Sequence, residues 1–387
     1  MVLRYSSLSE SFPPNILQVL DARRLELANL GRETINLSAG TPDLPPARSV
    51  MEAMRDAAMD PENYKYSLMD TPELQEAVIF WYKTRYGVQL ERSEITAVYG
   101  TQEGMSHIFH LLCDPGDEVI IGAPSYPIFS FGPLFARAKL AKVPLLPENK
   151  FLFDFGSISK ETASRAKAIV VSYPSNPLAA VANEDFYARL ISFAKKYNLL
   201  VIHDNAYSEF VHDGPPGPSF LSFPGAKDVG VEFNSLSKSH NLTGIRVSFC
   251  MGNKDVIQGF TKLRSQIDYG LSFVAQKAAV AALTGSQDVV EGNRRAYRER
   301  RDALCNALRK AGWNVPIPAG TMFCWFPIPG GGDSLAFCLD LLERTGVICV
   351  PGSSFGEGGE GWVRFALTQP PEVLERAAEK IKESGIL

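Results

Sequence analysis

Through the middle of the chain, short runs of apolar and β-branched residues alternate with longer stretches whose apolar positions recur every three to four residues. The runs Ile95 to Tyr99, Glu118 to Ile121, Ala168 to Ser172, Leu199 to His203, Val229 to Phe233 and Arg246 to Met251 read as strands. Between them, Gln102 to Leu112 and Glu184 to Tyr197 have the spacing of helices that lay one apolar stripe on a sheet. Strands alternating with helices of that length predict crossover units on a largely parallel sheet, so the expected fold class is α/β.

A different rhythm follows. A charge-rich helical stretch runs from about Asp288 to Lys310, then a strand-like Thr321 to Phe326 and a helix from Ser334 to Arg344. Strands at Val347 to Val350 and Trp362 to Leu367 precede a last helix that ends near Glu383. This series predicts a second, smaller α+β domain, which the Pro-rich N-terminal segment ending at Pro45 and Pro46 is expected to join. The expected division is residues 50–285 for the large domain and 1–49 with 286–387 for the small one. At 387 residues the chain is longer than one core usually serves, in keeping with two domains.

Composition narrows the task. An apolar fraction of 45% and a charged fraction of 21% are those of an ordinary globular protein, and a net charge of -4 gives no pull towards nucleic acid or anionic membrane. No uncharged apolar run approaches the roughly 18 residues that span a bilayer, and MVLRYSSLSESFPP lacks the apolar core of a secretion signal. The expected location is the cytoplasm. Cys113, Cys250, Cys305, Cys324, Cys338 and Cys349 form no CxxC pair and sit mostly in apolar segments, which reads as buried reduced thiols.

Two patterns carry less than they suggest. Gly356, Gly358 and Gly361 satisfy GxGxxG, but a β-like run follows them where a dinucleotide site needs a helix. His107 and His110 share a helix at HxxH spacing without a third ligand nearby in sequence, so they read as core or interface histidines on an apolar face.

The stretch FNSLSKSHNLTGIR, Phe233 to Arg246, places Lys238 just beyond a predicted strand among Ser235, Ser237 and Ser239. A lysine that forms a Schiff base must shed its proton near neutral pH, which desolvation or a neighbouring cation promotes. At the C-terminal end of a strand it meets the crevice where open α/β sheets bind ligands. Arg246, opening the next predicted strand, can return to that crevice with a planar fork suited to phosphate. Other strand ends bring matching groups: Asp204 and Tyr207 in VIHDNAYSEF, Asn176 in VSYPSNP, and Gly100 to Gln102 in YGTQEG. The last of these opens a helix, whose backbone N–H groups make an anion site.

In this order the residues resemble the fold-type I, pyridoxal-phosphate-dependent aminotransferases, from about Ile35 to Ile381. SLSKSHNLTGIR is the most specific part of the match. The resemblance implies a three-layer large domain with a mostly parallel seven-stranded sheet, a smaller α+β domain, and pyridoxal 5'-phosphate as cofactor. By that likeness Lys238 binds the cofactor and shuttles protons, Asp204 pairs with the pyridine nitrogen, and Asn176 and Tyr207 hold the ring hydroxyl. Tyr126 in APSYPIF stacks on the ring, while Gly100, Thr101, Gln102, Ser235, Ser237 and Arg246 hold the phosphate.

Arg364 in GWVRFAL is similar to the family's carboxylate-binding arginine, and Gly40 in LSAGTPDLPP to the loop that faces that carboxylate, with Asn176 beside the substrate. Tyr66 in YKYSLMDTPEL resembles the tyrosine that reaches the neighbouring subunit's phosphate, which implies a homodimer. One departure is visible: Asn176, Pro177, Leu178 and Ala179 stand where the family has Asn-Pro-Thr-Gly. PGAKDVGVEFNSLSKS and QIDYGLSFVAQKAAVAAL look most like the branch of LL-diaminopimelate and alanine aminotransferases. The implied activity is ping-pong transfer from an α-amino acid to 2-oxoglutarate or pyruvate. LL-diaminopimelate or alanine is the first candidate donor, then aspartate, glutamate or an aromatic amino acid. A carbon–sulfur β-lyase on the same cofactor and a non-catalytic ligand-sensing module stay open as alternatives.

Overall fold

A computed structural model of the protein describes residues 3–12 and 16–387. Strands β1 (Ile35–Asn36), β2 (Ile95–Val98), β3 (Glu118–Ala123), β4 (Lys139–Pro144), β5 (Ala166–Val171) and β6 (Leu200–Asp204) come first in the chain. They are followed by β7 (Gly230–Ser235), β8 (Ser248–Gly252), β9 (Phe323–Pro327), β10 (Val347–Ile348), β11 (Val350–Pro351) and β12 (Trp362–Ala366). Seven of them form one sheet in the order β2-β8-β7-β6-β5-β3-β4. Its pairings are parallel except those of β8, which runs against both neighbours.

The central strands are apolar on both faces because both are covered. Ile120, Ile169 and Val201 enter one core cluster, whereas Val119, Ile121, Val170 and Ile202 enter another, so successive residues of a strand serve opposite sides of the sheet. A third cluster gathers around an antiparallel sheet of order β11-β12-β9 and the parallel pair β1-β10, which ties the N-terminal segment to the C-terminal part of the chain.

Helix ends follow local chemistry. The helix Glu184–Tyr197 has the bounds its sequence predicts, because Asn183 accepts from the Phe186 N–H at 3.0 Å and Asn198 ends it with φ 53. Other predicted bounds change. β4 escapes the periodicity reading because it is an edge strand with Lys139, Lys142 and Pro144 along it. β8 begins at Ser248, and Arg246 precedes it with φ 61 at the end of the turn Thr243–Ile245. The single strand expected at Val347 to Val350 is two, β10 and β11, which join different sheets. Thr321, with φ 68, lies outside β9.

Gly356, Gly358 and Gly361 all have positive φ and lie in a loop that leads into β12. His110 is exposed, and His107 Nδ1 lies 2.5 Å from Glu103 Oε1, so the two histidines do not share an apolar face. Asp268 joins Glu103 and His107 in space. The buried Arg264 already balances those carboxylates, its Nη2 donating to Asp268 at 3.0 Å and its Nε 3.6 Å from Glu103. All six cysteines are free and five are buried. No helix among the described residues is long and apolar enough to cross a membrane.

Candidate active site

The C-terminal ends of β2, β3, β5, β6 and β7 open onto a cavity of about 560 Å³. Because β8 runs the other way, its beginning lies at the same edge, where Ser248 pairs with Ser235 and with Val98. The cavity is lined by Gly40, Thr101, Gln102, Tyr126, Asn176, Asp204, Tyr207, Ser235, Ser237, Lys238, Arg246 and Arg364. Of the residues singled out in the sequence, Gly100 stands directly behind Thr101. Tyr66 lies elsewhere, exposed, with its ring 5.3 Å from that of Tyr269.

β7 turns at once into the short helix Leu236–Ser239. Ser235 Oγ caps it, accepting from the Ser237 N–H at 3.1 Å and from the Ser248 hydroxyl at 2.7 Å. That turn delivers Lys238 to the cavity, where its Nζ donates to the Gly40 carbonyl at 2.6 Å. Burial, reinforced by Arg364 and Arg246, pushes the Lys238 pKa down to about 8, against an opposite pull from Asp204. Asp204 ends β6, buried, and accepts from the Ala206 N–H at 3.3 Å. Burial pushes its carboxyl up to about 6, and His203 is the first influence opposing that rise. Tyr207 is buried with its ring edge-on to Phe323 at 5.8 Å, and burial pushes its hydroxyl well up.

At the cavity wall, Gly100 adopts φ 92, and a Cβ there would collide with the Arg246 guanidinium. The helix Thr101–Leu112 starts from it, so first-turn N–H groups and Arg246 address one point. Arg246 is itself fixed by the Thr243 carbonyl at 3.0 Å and the Tyr99 carbonyl at 3.4 Å. Tyr126, just past β3, donates to Gln102 Oε1 at 3.2 Å.

Arg364 comes from β12. Its Nη1 donates to Asn176 Oδ1 at 3.1 Å and its Nη2 to the Ser38 carbonyl at 3.0 Å. Its guanidinium carbon lies 4.2 Å from the Phe323 ring centre and 5.0 Å from that of Phe355. The residue is buried, its Nε has no partner, and no carboxylate pairs with it among the described residues. Burial pushes its pKa down to about 10. A buried guanidinium without an anion is costly unless a ligand supplies one, and a carboxylate is the matching fork.

The departure at Leu178 and Ala179 does not open the loop. Ala179 takes φ 55, its N–H donates to the Ser175 carbonyl at 2.8 Å and its carbonyl accepts from the Gly320 N–H at 3.1 Å. Asn176 therefore keeps its place against Arg364. Residues that local patterns did not reveal are Asn36, Ser38, Thr243 and Phe323, together with Leu17 and Asp21 from the helix Ile16–Asn29.

A strand-end lysine of lowered pKa, a buried carboxylate, an anion-binding helix start and an unpaired arginine define an enzyme of the pyridoxal phosphate class. The sequence model of the family "Aminotransferase class I and II" matches residues 32–381. The LL-diaminopimelate aminotransferase of Dehalococcoides mccartyi is 39% identical over 381 residues, 98% of each chain. The substrate-bound BacF structure from a Bacillus superposes with a TM-score of 0.95 at 34% identity, covering 99% of this chain and 98% of that one. A probable N-succinyldiaminopimelate aminotransferase from Thermus thermophilus superposes at 0.90 with 35% identity, covering 96% and 100%.

The chain belongs to the class I and II aminotransferases; it is a transaminase that uses pyridoxal phosphate and has that family's fold. The donor set fits this cofactor: a cationic cradle for a phosphate dianion, a carboxylate for a ring nitrogen, and a primary amine for an aldehyde carbon.

Proposed function

We propose that the protein transfers the amino group of LL-diaminopimelate to 2-oxoglutarate or pyruvate, by a ping-pong mechanism, in the cytoplasm. The observation that carries amino-acid recognition is Arg364, a buried cation without a partner anion among the described residues, in the same cavity as Lys238. The donor rests on the likeness to LL-diaminopimelate aminotransferases, and the location on six free thiols, which suit a reducing compartment.

When bound, pyridoxal phosphate supplies the carbon that takes the amino group and a ring that accepts electrons from the substrate's α-carbon. Gly100, Thr101, Gln102, Ser235, Ser237 and Arg246 would hold its phosphate. Asp204 would hold a proton on the ring nitrogen, Asn176 and Tyr207 would bond the ring hydroxyl, and Tyr126 would pack against the ring. Arg364, oriented by Asn176 and the Ser38 carbonyl, takes the α-carboxylate, with Gly40 beside it. Lys238, its proton loosened by burial and by two guanidinium groups, removes the α-proton at Nζ and returns it on the far side of the transfer.

The same reading divides the chain into a large domain, 50–285, and a small one, 1–49 with 286–387, so that Arg364 and Lys238 belong to different domains. It also makes the protein a homodimer. Tyr66, Leu68, Met69 and Tyr269 are exposed together on one side, a patch that a second copy covers, bringing Tyr66 to its neighbour's phosphate. The test is a panel of donors in single half-reactions, followed by the cofactor's visible absorbance. LL-diaminopimelate is expected to turn over with the highest kcat/KM; a preference for alanine, aspartate, glutamate or an aromatic donor overturns the donor assignment and leaves the transaminase chemistry in place.

A further inference from the structure

One strand position before Asp204 lies a buried pair of ionisable side chains that the proposed mechanism does not use. β6 and β7 pair His203 with Glu232, and Asp204 with Phe233. Side chains alternate along a strand, so His203 and Glu232 share the face of the sheet away from Asp204. Both are fully buried. Glu232 Oε1 accepts from the Tyr82 hydroxyl at 2.8 Å and the Ser219 hydroxyl at 2.9 Å, and Oε2 from the Phe220 N–H at 2.6 Å. His203 Nδ1 lies 3.1 Å from the same Oε2.

With Nδ1 as a donor, Glu232 takes four hydrogen bonds on its two oxygens, the full complement of a carboxylate. On the other side of the ring, His203 Nε2 lies 3.3 Å from the Tyr187 hydroxyl, which donates to the Tyr173 carbonyl at 3.4 Å. With its own hydrogen on that carbonyl, the Tyr187 oxygen can accept a hydrogen bond from Nε2, as Glu232 Oε2 can from Nδ1. This arrangement accommodates an imidazolium, in which both ring nitrogens donate. The groups packed around the pair, Tyr82, Tyr173, Tyr187 and Ser219, are neutral donors and acceptors.

We propose that His203 is an imidazolium paired with Glu232 and that this ion pair keeps Asp204 ionised from behind the sheet, which makes His203 a positioning residue for the reaction. The cation adjoins Asp204 along the chain and the anion is one strand further away, so the pair's field favours a carboxylate at Asp204. Asp204 needs that help, since burial drives it towards its neutral form, and His203 is the first influence against that drift. A charge placed there acts on the site without entering the cavity. The inference rests on the reading that Asp204 faces the ring nitrogen.

The test uses full-length enzyme loaded with pyridoxal phosphate carrying ¹⁵N in the ring, and reads the ring nitrogen's NMR shift. In His203→Gln the resonance is expected to move towards that of an unprotonated pyridine, and kcat to fall about tenfold with little change in KM, the weight of one pKa unit at Asp204. Adding Glu232→Gln removes the stranded anion, so the double variant is expected to return part of the way. A wild-type resonance in His203→Gln, or a double variant displaced further than the single one, overturns the proposal, because damage to packing adds where charges compensate. Should His203→Gln not fold, the double variant decides: an intermediate shift supports the ion pair and an unmoved one rejects it. Asp204→Asn is the control; if it leaves the resonance unmoved, the assignment of Asp204 fails first and the ion pair's role fails with it.

Discussion

Lys238 is where the residue-scale account is most exposed to experiment. Its pKa of about 8 in the folded chain lies below its ordinary 10.5, so the folded state disfavours the ammonium that the unfolded chain carries freely. Below about pH 8 that cost is present in full; as pH rises towards 10.5 the unfolded chain also loses its proton, and folded stability increases. Lys238→Met, which removes the titration and the bond to Gly40, is therefore expected to stabilise the cofactor-free protein at pH 7 by about 2 kcal/mol. Denaturant midpoints check this, and the gain should close by pH 10.5. A difference that stays flat across that window contradicts a burial-driven shift. The lysine is thus held for its chemistry at the expense of stability, a common feature of functional sites.

At the scale of elements, the segment from Asn36 to Asp43 is the strap that joins the two halves of the site. It offers the Ser38 carbonyl to Arg364 and the Gly40 carbonyl to Lys238, while Ala39 accepts from the Thr368 hydroxyl. Its far end is pinned by Asp43, which receives Arg300 Nη1 and Nη2 at 2.7 and 2.8 Å. Asp43→Ala leaves the buried Arg300 guanidinium without its carboxylate, a change expected to cost about 2 kcal/mol and to raise KM for the amino donor more than it lowers kcat. Thermal unfolding and steady-state kinetics measure the two effects; an unchanged KM removes Asp43 from the account of the site.

The same elements show what could be read in advance. The helix Glu184–Tyr197 was legible to the residue because its cap and its stop are written locally, and the strand-end groups were legible because parallel strands deliver them to one edge. β4 and the break between β10 and β11 were not, since edge position and sheet membership depend on partners far away in sequence. The Arg364–Ser38 bond, spanning 326 positions, and the Phe323 ring beneath that arginine have no local signature.

For the whole molecule, the exposed Tyr66, Leu68, Met69 and Tyr269, which lie together, set an expectation about assembly. If the proposed homodimer forms through this patch, introducing charge there, as Leu68→Glu with Met69→Glu, should convert it into monomers in sedimentation velocity and weaken cofactor retention, since the proposal brings Tyr66 to the neighbouring site. A wild-type chain that sediments as a monomer at micromolar concentration contradicts this. The central claim joins the two parts of the chain in one reaction: Arg364 orients the amino acid and Lys238 moves its α-proton. The measurement that tests it most directly is the single-turnover rate of each half-reaction, amino acid to oxo acid and back, in cofactor-loaded Lys238→Ala. The account predicts that both fall by about 10²–10⁴-fold or more while amino-acid binding persists; wild-type rates in either direction would place the proton transfer on another residue.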